Sequence, residues 1–331
     1  MTTAVVILNW NGRDLLQQFL PSVISFSEGA NIYVADNAST DDSVAFVNEN
    51  FQQVKIIQNK ENGGFAKGYN DALSGLTEDI FVLLNSDVEV TENWLKPILK
   101  IFNNEPKTAA VQPKIIDFKK KDHFEYAGAS GGFIDKYGYP FCRGRIFETV
   151  EEDQGQYNDD VPIFWASGAC MVIRKSVYWE AGALDEDFFA HQEEIDLCWR
   201  IHNLGYQIKS CGASIVYHVG GATLDSMNPR KTFFNFRNSL YMLLKNVPAQ
   251  NVYSILFLRM ILDGIAGIKF LAAGKFSHFY AILQAHITFY RNFKKIYLKR
   301  KGTPKNSEYF QIKSIIWSYF CLNRKEFSKL K

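Results

Sequence analysis

The chain is 331 residues long, 47% hydrophobic and 22% charged, a composition that builds a packed core and excludes a disordered, collagen-like or multi-span membrane protein. The formal net charge is only +2, so bulk charge selects no partner and does not point to nucleic acid. It is unevenly placed, however. Residues 291–331 carry twelve Lys and Arg against Glu308 and Glu326, and a basic tail of this kind suits an anionic surface.

The chain opens on Ala4-Val5-Val6-Ile7-Leu8 with no basic segment or cleavage site before it, which reads as a first strand and not a signal peptide. Apolar runs at 4–8, 32–35, 54–57 and 80–84 alternate with helix-like segments at 13–20, 41–49, 65–75 and 91–102. Continuous apolar runs are the mark of strands buried on both faces, and their alternation with helices predicts βαβ units and a parallel sheet. Residues 105–225 mix short strands with glycine-rich turns, then predict a helix over 193–204 and a strand ending at Tyr217-His218. No linker interrupts 1–228, which reads as one α/β domain. Residues 229–331 read as a helical, basic extension. Its first helix carries a stripe of Phe233, Phe236, Leu240, Leu243 and Leu244, and long apolar-plus-basic segments follow at 251–273 and 276–298. Arg259, Asp263 and Lys269 interrupt the longest apolar stretch, so a membrane span is not expected. The five cysteines are odd in number and form no C-x-x-C pair, which argues against a disulfide framework or a zinc site and for a reducing, cytoplasmic setting.

In such sheets ligands bind beyond the carboxyl ends of the strands, which directs attention to the polar segments that follow each run. The first strand lacks a G-x-G-x-x-G turn, which disfavours a dinucleotide enzyme, and Gly63-Gly64-Phe65-Ala66-Lys67-Gly68 lacks the G-K-[ST] ending of a P-loop. Amides at that helix start still suit a phosphate. Trp10 offers a flat face to a nucleobase, and Asp36 a carboxylate to a base or ribose. Lys67 is within reach of a phosphate or is a solvated helix lysine, and Trp165 stacks on a sugar or fills the core. Asp87, in Asn85-Ser86-Asp87, is suited to a hard cation shared with a diphosphate. Taken alone, that triplet reads as a turn. Glu193, Glu194 and Asp196 open a predicted helix between aromatic flanks, where a half-shielded carboxylate makes a general base. The competing reading is a helix-dipole cluster with a surface Asp196–Arg200 pair. His218 precedes two glycines that let the backbone pass close to a neighbour.

Taken in order, these segments resemble the inverting family 2 glycosyltransferases of the GT-A fold, rhamnosyltransferase-like members in particular. The resemblance covers 4–245. It rests on Val6-Ile7-Leu8-Asn9-Trp10-Asn11, Val34-Ala35-Asp36-Asn37-Ala38-Ser39-Thr40-Asp41, Asn62-Gly63-Gly64-Phe65-Ala66-Lys67-Gly68-Tyr69-Asn70 and Leu83-Leu84-Asn85-Ser86-Asp87. Three further segments complete it: Ser167-Gly168-Ala169-Cys170-Met171 with Leu184-Asp185-Glu186-Asp187-Phe188-Phe189, then Glu193-Glu194-Ile195-Asp196-Leu197-Cys198-Trp199-Arg200, then His218-Val219-Gly220-Gly221. It implies a donor site at Asn9, Trp10, Asn11, Asp36, Asn62, Gly64, Lys67 and Asn85. It implies Mg2+ or Mn2+ on Asp87 and His218, and a base among Glu194, Glu193 and Asp196. The family's D-x-D is written here with Asn85 first, and its E-D with Glu194 second.

The implied reaction is sugar transfer from a dTDP- or UDP-linked donor, with rhamnose the first guess, to a glycan or lipid-linked glycan. An anionic membrane surface or a homo-oligomer contact is expected of 251–331, giving a protein peripheral on the inner face of the cytoplasmic membrane. Two other classes stand beside this one. A sugar-nucleotide nucleotidyltransferase needs a glycine-rich turn where Asn9-Trp10-Asn11-Gly12 stands, and a non-catalytic glycan-binding module needs neither Asp87 nor Glu194.

Overall fold

A computed structural model describes residues 1–220, 228–300 and 309–330; Gly221, Lys301 and Glu308 lie outside them. The predicted βαβ half is present. Strands β1 (Thr3–Asn9), β2 (Ala30–Asp36), β3 (Lys55–Gln58) and β4 (Ile80–Asn85) are parallel, in the order β4-β1-β2-β3. Helices α1 (Arg13–Phe26), α2 (Ser43–Asn50) and α3 (Gly64–Leu73) connect them. Val5, Val6, Phe81, Val82 and Leu84 are fully buried because helices cover both sheet faces.

The chain then extends the same sheet past β4 through β5 (Val88–Val90), α4 (Leu95–Asn104) and β6 (Thr108–Asp117). A small four-stranded antiparallel sheet follows, with β7 (Gly132–Ile134), β8 (Pro140–Cys142), β9 (Arg145–Ile146) and β10 (Thr149–Val150). The chain returns along β11 (Val161–Ile163) and β12 (Cys170–Arg174), which inserts antiparallel between β4 and β6. Helices α5 (Lys175–Glu180) and α6 (Glu193–Asn203) lead to β13 (Gln207–His218), which is parallel to β6. The carboxyl ends of β1, β2, β4, β6 and β13 therefore share one edge, and Asn9, Asp36, Asn85, Asp117 and His218 stand on it.

Helices α7 (Pro229–Asn246), α8 (Val252–Ala272) and α9 (Phe276–Leu298) complete the described chain with a C-terminal segment, 309–330. Leu240, Leu243, Leu244, Phe289 and Ile296 lie in the same apolar cluster as Ile195 and Trp199, so these helices are built into the core. The expected α7 stripe is turned by about one residue at its start. Phe234 is buried, and Phe233 and Phe236 are only half-buried, because the Phe234 ring stacks on Phe189 at 5.6 Å between centroids.

The basic tail also differs from its expected use. Lys295 and Lys299 pair with Asp187 and Asp185, and Arg300 donates to the Leu244 and Val247 carbonyls. Three of the cations expected to face a surface thus hold the 185–187 turn and the end of α7. Among the described residues no helix is long and apolar enough to cross a membrane. Trp165 is a core residue, 2% exposed, and its indole donates to the Phe133 carbonyl.

Candidate active site

At the ends of β1 and β2 the side chains satisfy one another. Asp36 accepts from Asn9 Nδ2 at 3.1 Å, Ser39 N at 3.0 Å and Gln58 Nε2 at 2.6 Å, and it is fully buried. Asn11, held at φ 50°, accepts from Thr40 N at 2.7 Å. The Asp36 carboxylate thus bolts the 37–41 loop to β1, with Oδ1 taking a single donor and Oδ2 two. Trp10, 52% exposed, is the large group left open at this corner.

The glycine-rich start of α3 is likewise taken up by the protein. Asn62 Oδ1 accepts from Gly64 N and Asn37 Nδ2, and Phe65 N donates to the Phe189 carbonyl at 2.8 Å. Lys67 pairs with Asp71 one turn on, at 2.5 Å, and not with a strand-end group. Gly64 has φ +78°, and a Cβ there would stand 2.5 Å from the Phe189 oxygen. Gly64→Ala is therefore expected to cost about 1–3 kcal/mol of stability, read by urea unfolding; an unchanged midpoint would show that the α3 start and the 189 loop are not in contact.

At the ends of β4 and β13 the expected cation pair meets. His218 Nε2 lies 3.1 Å from Asp87 Oδ1 and 3.4 Å from Asn85 Nδ2. On its other side His218 Nδ1 stands 3.3 Å from Glu125 Oε1, and all three acid–base groups are buried. Burial opposes charge on the imidazole, but hydrogen bonding to Asp87 and Glu125 prevails and lifts His218 to about 10. Gly220, at φ +67°, would place a Cβ 2.9 Å from Glu125 Oε1, so Glu125 is the neighbour that this glycine lets the backbone approach.

Among the described residues no group of three or more His, Cys, Asp or Glu is arranged as a complete metal cage. Asp87 and His218 Nε2, with the Glu125 carboxylate 3.3 Å from the other ring nitrogen, nonetheless fit a hard cation whose remaining ligands are diphosphate and water. Glu125 was missed in the sequence because it stands alone, 93 residues before His218, in no motif.

The acidic cluster sits at the start of α6, after a loop held in unusual backbone conformations. Phe189, His191 and Gln192 have φ of 64°, 70° and 69°. Strain of this kind persists only where surroundings impose it, and α7 does so. Asn238 Nδ2 donates to the carbonyls of Phe188, Ala190 and His191, and Arg237 to those of Asp187 and Phe188.

The three carboxylates then separate. Asp196 is fully buried against Lys245 at 2.7 Å, Arg200 at 2.9 Å and Asn246 at 2.8 Å. It is thus withdrawn as a base, and its pair with Arg200 lies in the core and not on the surface. Glu193 is buried and pushed well above the ordinary range by burial and by the charges of Glu194 and Asp196. Glu194 is half-buried, with one oxygen lacking any partner. Burial lifts it to about 7 against the pull of nearby amides of the first turn. The Cys142 thiol is raised by burial, pulled back by Arg145, and raised further by Glu125 and Glu194.

Residues 4–182 match the profile of glycosyl transferase family 2. The chain belongs to that family. This glycosyltransferase is 23% identical over 239 residues to an N-acetylglucosaminyl-diphospho-decaprenol L-rhamnosyltransferase of Mycobacterium tuberculosis, covering 66% of this chain and 76% of the relative. It is 21% identical over 245 residues to a low-salt glycan biosynthesis hexosyltransferase of Haloferax volcanii, covering 71% and 73%. Among solved structures it is similar to GalNAc-T7 with UDP, GalNAc and Mn2+, at TM-score 0.57 and 16% identity over 73% of this chain and 47% of that one. It is also similar to a Pyrobaculum calidifontis mannosyltransferase with GDP-Man and Mn2+, at TM-score 0.51 and 14% identity, covering 90% and 83%. The fold is therefore GT-A, as the resemblance implied, and the chain is a nucleotide-sugar-dependent glycosyltransferase. The nucleotidyltransferase and binding-module readings give way to it.

Proposed function

We propose that this enzyme transfers a sugar, rhamnose first among the candidates, from a dTDP- or UDP-linked donor to a hydroxyl of a glycan or lipid-linked glycan, with inversion. Residues 1–228 form the catalytic unit and 229–331 its helical support. Glu194 accepts the acceptor's proton as that oxygen bonds to the anomeric carbon, while the bond from that carbon to the diphosphate breaks. The observation that carries this reading is the Glu194 carboxyl itself, half-buried, unpartnered at one oxygen and poised near neutrality. When bound, Mg2+ or Mn2+ neutralises charge on the leaving diphosphate. Asp87 and His218 Nε2 would hold it, the ion taking the place of the Nε2 proton that Asp87 favours, with the Glu125 carboxylate 3.3 Å from the other ring nitrogen. The relative whose name specifies a diphospho-decaprenol supports a lipid-linked acceptor.

The test is incubation with dTDP-, UDP- and GDP-sugars, metal and candidate acceptors, following nucleoside diphosphate release. No release with any of them would refute the reading. Chelation is expected to lower turnover by about 100-fold or more, as is Asp87→Ala. Mn2+ binding by the nucleotide-loaded protein, measured calorimetrically, should be lost in Asp87→Ala and kept in Asn85→Ala.

A further inference from the structure

Helix α8 has its polarity reversed. Its charged residues Arg259 and Asp263 are 3% and 0% exposed. They pair at 2.7 Å, with Tyr139 covering the guanidinium and His286 at 3.2 Å from Asp263. The solvent side is apolar: Tyr253, Phe257, Ile261, Ile265 and Ile268 recur at three- and four-residue spacing and are 46–65% exposed. A helix that hides its charges and shows its hydrophobes is suited to a solvent other than water.

The surroundings say which one. Over residues 247–300 Asp263 is the sole acidic residue, and it is buried. Lys269, Lys275, Arg291 and Lys294 are exposed. The apolar surface continues onto neighbouring elements. Tyr290 of α9 reaches Met260 at 3.1 Å, Lys269 lies over the Phe320 ring, and Trp317 is 60% exposed. Between α7 and α9 a groove of about 650 Å3 is lined by Arg230, Arg291, Phe233, Tyr280 and Ile287. Among the described residues no carboxylate pairs with either arginine. An apolar face whose exposed charges on α8 and α9 are all positive is poorly suited to an isologous dimer, which sets it against itself, and lysine is depleted in protein–protein interfaces. Tyrosine, tryptophan and lysine around an apolar strip are the anchors of a membrane interface.

We propose that the outer face of α8 seats this protein on an anionic lipid surface, lying in the headgroup region without crossing it. The seat is the apolar strip of α8 with cations at its margin. It is not the basic tail as such, because Lys295, Lys299 and Arg300 are engaged in holding the chain. Exposed cations then add attraction to anionic headgroups.

Co-sedimentation of the full chain with phosphatidylglycerol/phosphatidylethanolamine vesicles tests this, with phosphatidylcholine vesicles as the neutral arm. The full chain is expected to pellet with the anionic vesicles and far less with the neutral ones. The triple variant Phe257→Ser, Ile261→Ser, Ile265→Ser should partition at least tenfold more weakly, about 1.4 kcal/mol. Its melting temperature should be unchanged, because the three side chains face outward. Three results would overturn the proposal: no vesicle binding by the full chain, equal binding by a folded triple variant, or a dimer in sedimentation velocity that the triple variant breaks while vesicles are ignored. Neither donor nor acceptor enters this measurement, so its failure leaves the proposed reaction untouched.

Discussion

Glu194→Gln is expected to lower kcat by about 10²–10⁴-fold while leaving donor binding intact. That range is what a positioned general base contributes. Glutamine keeps the size and hydrogen-bonding reach of the side chain but removes its ability to take a proton. In the free enzyme the Glu194 carboxyl titrates at about 7, and only its ionised form is a base. The kcat/KM profile should therefore climb about tenfold per pH unit below 7 and level off above it. Glu194→Asp keeps the carboxylate but withdraws it by one methylene, so partial activity with a displaced pH limb is expected. Glu193→Gln should be far milder, since burial already favours the neutral acid there. A Glu194→Gln enzyme within a few-fold of wild type, or a flat profile between pH 5 and 8, would place the base elsewhere.

The parallel half of the sheet was legible because buried strands write themselves as unbroken apolar runs, and β1, β2, β3 and β4 lie where those runs stand. The antiparallel entry of β12 between β4 and β6 was not, because non-local pairing leaves no trace in a five-residue apolar run. At the candidate site, His218 and Asp87 could be named from their motifs, but the carboxylate beside the histidine, Glu125, could not. Asp36 and Lys67 carry contacts within the protein that a sequence does not show. Polar residues at a strand end or helix start look available in a sequence, and Asn9, Gln58, Ser39 and Asp71 had already claimed them. The basic tail misled for a related reason. Net charge counts cations without revealing that Lys295 and Lys299 face Asp187 and Asp185, more than a hundred residues earlier.

Lys245→Met is expected to cost about 3–5 kcal/mol of stability, the loss that follows when one member of a buried ion network is removed and its partners stay charged. The Lys245 ammonium is 2.6 Å from Asp185 and 2.7 Å from Asp196. All three are buried, and methionine fills the volume without the charge. Arg200 still serves Asp196, and Lys299 still reaches Asp185 at 2.5 Å, so the loss is of one cation shared between two acids. Urea unfolding measures it, and a change below about 1 kcal/mol would mean that the pair behaves as an exposed one. The pH dependence has a definite sign. Burial works against the Asp185 carboxylate, but Lys245 and then Lys299 overcome it and hold the group well below the ordinary range. Its contribution is therefore complete above the unfolded carboxylate value of about 3.9 and is lost as pH falls below it. With Lys245 gone the folded value moves up, so acid unfolding should begin at higher pH in Lys245→Met than in wild type. Activity should fall too, because Asp185 opens the turn that leads through the strained 189–192 backbone to Glu194. Asp185→Asn in the Lys245→Met background should recover part of the stability, since it removes one of the two stranded charges. If the double variant is no more stable than the single, the cost lies in packing around α7 and not in electrostatics.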